Sequence, residues 1–246
     1  MSRYTTYAAA ALAAIPAIAM VQPAYAGQEE SHKLAMQIIS LSDDVSTNLE
    51  DLVKHMHDAA SEPLALLTAS CIIQRDDALY ELQEETGLTK RDRARLLKQA
   101  NACKERNDKS IDAITNADYE KMNDATKGAL LILACGSRPE DSDEREKVVT
   151  ACEWLLRAAI NNTNMLLENI TNKEDADNLA SIIAKIDHHV TVVSTHMSYL
   201  DKDAYQALAD DVQEELTRMQ EAMKDLKSED YHGNDDLRKF CEDKLN

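Results

Sequence analysis

Apolar residues recur at intervals of three and four along nearly the whole chain after residue 28, the spacing that lines up one face of an α-helix. The first such stretch, 29–58, carries Leu34, Ile38, Leu41, Val45, Leu49, Leu52, Val53 and Met56. Glu62-Pro63 opens a second helix running to about 86, because proline is tolerated in a first turn. Gly87 stops it, and Thr89 with Asp92 resembles a capping box that starts a third helix ending near Ile114. A fourth follows Thr115-Asn116. The run Gly136-Ser137-Arg138-Pro139-Glu140-Asp141 is the strongest break in the chain, and beyond it the pattern predicts helices over about 143–170, 173–199, 202–227 and 229–244. The expected fold class is all-α, with about eight long antiparallel helices joined by short turns.

The chain looks duplicated about that central break. Residues 88–119 align without gaps on 200–231 at an offset of 112, matching Leu88/Leu200, Lys90/Lys202, Leu96/Leu208, Arg106/Arg218, Asp118/Asp230 and Tyr119/Tyr231. The first and fifth helices share apolar phase at an offset of 114, as in Ile38/Cys152, Leu41/Leu155 and Met56/Ile170. Two extra residues in the turn before Pro63 account for the difference. The reading is two tandem, related four-helix bundles, 27–137 and 138–246, with a solenoid of four helical hairpins as the alternative. The single strong break at the midpoint favours the bundles.

Composition agrees and adds a compartment. Only 5 Gly, 4 Pro and 4% aromatic residues are too few for a sandwich, barrel or propeller, which need frequent turns. Residues 1–26 read as a signal peptide: Arg3, an alanine-rich apolar run over 8–20, then Ala24-Tyr25-Ala26 as the cleavage pattern. That run is too short to span a bilayer comfortably, so export to a periplasm or the exterior is expected, without membrane insertion. Five cysteines then fall in a compartment where disulfides persist, and none forms a C-x-x-C motif. Cys71 and Cys103 lie nearly equidistant from the Gly87-Leu88 turn, which predicts a bridge across that hairpin. Cys152 has Cys135 or Cys241 as a second partner.

Charge is the most informative feature after the duplication. The chain carries a formal −18, or −19 without Arg3, which disfavours nucleic acid and anionic membrane surfaces as partners. The third helix inverts that balance, with eight basic residues against three acidic ones over 90–109. Arg91, Arg95, Lys98, Arg106 and Lys109 fall in one stripe about 80° wide at 100° per residue. The equivalent segment 201–225 holds eight acidic residues against three basic ones. The stripe is therefore expected to receive an acidic protein surface, from a partner or through self-association.

The histidines raise a metal reading. His188, His189, His196 and Met197, with His55-Met56-His57, mix imidazole and thioether groups that suit copper in an oxidising compartment. Their helical spacing is poor for one ion, since residues two apart point about 200° from each other. Nothing resembles a nucleophile elbow, a phosphate-cradling glycine loop or H-E-x-x-H, so no enzyme activity and no cofactor are expected. The sequence reads as an exported, non-catalytic helical scaffold or protein-interaction module of the cell envelope, with a periplasmic copper binder as the alternative.

Overall fold

The helices begin where short polar side chains replace the missing hydrogen bonds of a first turn. The computed structural model describes residues 25–58, 61–84, 87–168 and 173–225. Among these the chain is all-helical: α1 (Tyr25–Lys54), α2 (Ser61–Glu84), α3 (Lys90–Asp112), α4 (Asn116–Lys121), α5 (Asp124–Cys135), α6 (Ser142–Glu168), α7 (Lys173–Leu200) and α8 (Lys202–Asp225). Thr89 Oγ1 accepts the Asp92 amide at 3.1 Å and caps α3, as the sequence predicts. Asp141 Oδ1 accepts the amides of Asp143 and Glu144, each at 3.0 Å, at the head of α6. Asp201 plays the same part for α8, with Asp203 and Ala204 as donors. The expected signal peptide and the helix over 229–244 lie outside the described residues, apart from Tyr25 and Ala26, which begin α1. No helix among the described residues is long and apolar enough to cross a membrane.

Two boundaries differ from the sequence reading. The single fourth helix is two helices, because Asn123 accepts the Thr126 amide at 2.8 Å and starts α5 afresh. Met122 between them is extended and buried, which turns the chain inward. The first helix ends at Lys54 and not at 58, in a turn where the Asp58 amide donates to the His55 carbonyl at 2.8 Å.

The offset of 112 read from the sequence recurs in one pair of helix starts. α3 and α8 start at Lys90 and Lys202, 112 apart. The boundaries are thus compatible with a tandem repeat.

Packing joins the halves. α2 is the central helix: residues 68–73 are all buried, so it is enclosed on every side, by α1, α5, α6 and α7. One hydrophobic cluster runs from Leu49 and Leu52 of α1 through Ile72 and Ile132 to Leu155 of α6, Val193 of α7 and Leu208 of α8. The central break does not interrupt it. A smaller cluster, with Leu34, Ile38, Leu79, Leu82 and Leu96, seats the N-terminal half of α3. Gly128 lets α5 approach α6 closely, since an added Cβ would lie 2.9 Å from the Ala151 carbonyl oxygen.

Candidate functional site

The basic stripe lies on the flank of α3 nearest α1, and its two ends are treated differently. Arg106 is turned onto α1: Nε is 3.1 Å from Glu50 Oε1, Nη1 3.3 Å from Asp43 Oδ1, and Nη2 3.2 Å from Thr47 Oγ1. For that residue the acidic partner is a neighbouring helix of the same chain. Lys109 lies 2.9 Å from Glu105 one turn back, and the bond holds the Glu105 carboxyl below its usual range. Both side chains are about seven-tenths exposed, so solvent screening leaves this pair little strength.

Arg91, Arg95 and Lys98 are exposed, and among the described residues none makes a salt bridge. Arg95 Nη1 instead lies 3.9 Å from the sulfur of Met36, an α1 side chain that is itself exposed. Beneath them the buried Asp92 fixes the first turn of α3. Burial pushes its carboxyl up, but hydrogen bonds from Thr89 and His32 and the charges of His32 and Arg95 hold it below the ordinary value. The result is a basic and apolar patch on a rigid support, in a chain that is strongly acidic overall.

A second constellation, not foreseen from the sequence, ties the central break to α2 and α7. Arg75, buried, donates to Asp76 Oδ1 at 2.9 and 2.7 Å, and Asp76 Oδ2 accepts the Ser137 amide at 3.0 Å. Arg138 donates to Asp77 Oδ1 at 2.9 and 2.7 Å, and its guanidinium lies 4.7 Å from the Tyr80 ring centre and 4.8 Å from that of Tyr199. His196 Nε2 donates to the Ser137 carbonyl at 2.7 Å, which fixes the ring proton on that nitrogen. Burial, the largest influence, holds the His196 imidazole below its ordinary value despite that bond and the nearby Asp77 and Asp76 carboxylates. The signal that was available is Asp76-Asp77 on an otherwise apolar helix, since partly buried carboxylates call for cationic or amide partners.

No family model, curated protein or solved structure matches the chain.

The metal candidates are engaged with protein groups or dispersed. His189 Nδ1 lies 3.0 Å from Ser70 Oγ, His188 stacks edge-on against His189, and Met197 is buried in the core. His55 and His57, beyond the end of α1, face Asp58 and Asp118 respectively. Among the described residues no three His, Cys, Asp or Glu side chains converge as a metal site.

The bridges expected between Cys71 and Cys103 and between Cys135 and Cys152 are not formed; all four are free thiols. Level position across a hairpin is insufficient because α3 leaves the Gly87 turn to pack on α1 and not on α2. The Cys71 sulfur accepts a bond from Asn48 of α1, and the Cys103 sulfur accepts one from Gln99 of its own helix. Burial pushes the Cys71 thiol up to about 11 and the Cys152 thiol up to about 12, which suppresses the reactive thiolate. Cys241 lies outside the described residues. A pocket of about 320 Å³ between the end of α3, α4 and α5 is walled by Ile111, Ile114, Leu130 and Ala134. Asp112 and Tyr119 are its titratable lining groups, which offers no paired acid and base.

Proposed function

We propose that the protein is an exported, non-catalytic helical module that works in the cell envelope by contact with other proteins. Its docking face is the N-terminal half of α3, where Arg91, Arg95 and Lys98 receive an acidic protein surface beside Met36. One observation carries the reading. Three exposed cations on one helical face make no salt bridge among the described residues, although the chain has 45 acidic residues against 27 basic ones. Arg106, on the same stripe about two turns beyond Lys98, by contrast meets two carboxylates. Exposed cations steer an acidic partner and set its orientation, with a contribution that salt weakens. Export is supported by Arg3, the apolar run over 8–20 and the Ala24-Tyr25-Ala26 pattern.

The test is capture of envelope proteins on the immobilised protein at low and high salt, for the wild type and for Arg91→Glu/Arg95→Glu/Lys98→Glu. Salt-sensitive capture that the triple variant loses is the expected result. Equal capture by both proteins would overturn the assignment of this face.

A further inference from the structure

In one continuous helix Tyr119 and Leu130 would stand about 16 Å apart along the axis. The turn at Met122-Asn123 instead lets both line the pocket of about 320 Å³ at the end of α3. Its walls are largely apolar: Ile111 and Ile114 about the end of α3, Leu130 and Ala134 on α5, and the Tyr119 ring on α4. That volume is at the small end of the range of roughly 300–1,000 Å³ for small-molecule sites, and suits a single ring with a short chain.

The charge at its edge is negative. Asp112, the last residue of α3, lines the pocket, is exposed, and makes no salt bridge among the described residues. The last three basic residues of α3 are engaged elsewhere: Lys104 with Asp108, Arg106 with Glu50 and Asp43, and Lys109 with Glu105. The Lys127 ammonium lies 5.9 Å from the Tyr119 ring centre, with Asp124 as its counter-charge at 3.9 Å. Asp118 on α4 is occupied by Thr115 and faces His57. Because α3 ends at Asp112, the negative end of its dipole adds to the carboxylate at the same point.

We propose that this pocket binds a small apolar amine, with a ring or short alkyl body against the apolar walls and the ammonium group on Asp112. The site is separate from the docking face of α3 and does not depend on it. A cation gains from the open carboxylate, an acid of the same shape is repelled by it, and a neutral molecule gains only the walls. A metal ion would find Asp112 without company, since no three His, Cys, Asp or Glu side chains converge among the described residues.

The test titrates 2-phenylethylamine into the full chain at low salt, with 2-phenylethanol and phenylacetate as neutral and anionic counterparts. Methyl-labelled isoleucine and leucine report the site by nuclear magnetic resonance. The amine should shift the methyl signals of Ile111, Ile114 and Leu130. It should bind about threefold or more tighter than the alcohol, the size of a solvent-open ion pair, with phenylacetate weakest. Asp112→Asn should remove the preference for the amine and leave the alcohol's binding as it was; Asp112 is exposed, so the fold is kept. Leu130→Trp should fill the cavity and weaken both ligands by about tenfold or more. Far-ultraviolet circular dichroism checks that this variant is folded, and Asp112→Asn decides the matter if it is not. No shift of the three methyl groups at millimolar amine would overturn the site. Equal binding of amine, alcohol and acid, or a preference that survives Asp112→Asn, would overturn the role of Asp112 and with it the amine class.

Discussion

Ile72→Ala tests whether the two halves of the chain share one interior. Ile72 is fully buried at the centre of α2, in the same cluster as Leu155 of α6 and Val193 of α7. Truncation removes three buried carbons, about 2.4 kcal/mol at roughly 0.8 kcal/mol each, and the unfilled cavity raises the loss to about 3–4 kcal/mol. With a urea slope of about 2 kcal/mol per molar, the unfolding midpoint should fall by about 1.5–2 M. The single tryptophan, Trp154, lies on α6 in the other half and gives a local fluorescence signal. Helix content, followed by far-ultraviolet circular dichroism, reports on both halves. Coincident transitions, both shifted by the same amount, are expected of one cooperative core. If the helix signal became biphasic while Trp154 kept its wild-type midpoint, the interiors would be separate and the reasoning wrong.

Gly128→Leu should push α5 away from α6 and cost about 1–3 kcal/mol, because the Ala151 backbone cannot yield as a side chain would; an unchanged melting temperature would contradict the close approach. Stability should fall as the pH drops from about 6.5, the value for a histidine in the unfolded chain, toward the lowered value of folded His196. In that window the unfolded chain binds the proton that the buried ring refuses, so urea midpoints measured for His196→Gln should lose this part of the slope. In the native protein Cys71 and Cys152 should resist a thiol reagent until unfolding, since at pH 8 a thiol near 12 is ionised to only about one part in ten thousand. A non-reducing peptide map showing Cys71 joined to Cys103 would refute the packing of α3 on α1.

Much of the fold is legible in one dimension because helices are local objects. Caps at Thr89, Thr115 and Asp201, and the stop at Gly136, act within four residues of themselves, so the sequence locates them directly. The split at Met122-Asn123 escaped because Asn123 can either continue a helix or cap one, and burial of Met122 settles the choice. The basic stripe was visible as angular positions, but nothing local distinguishes Arg106, held by Asp43 and Glu50, from Lys98, which makes no salt bridge among the described residues. The cysteine pairing failed for the same reason: a position along a hairpin does not say which neighbour its second helix packs against.

The sequence alone therefore determined the helical class, most of the helix caps and the opposite net charge of α3 and α8. These follow from period, capping chemistry and residue count, all short-range or additive. Only the tertiary structure decided that α2 is enclosed by helices from both halves, that Arg138 stacks between Tyr80 and Tyr199, and which cations of α3 stay open to a partner. Each of these depends on contacts between residues some sixty or more positions apart, whose geometry is set by how helix faces fit together.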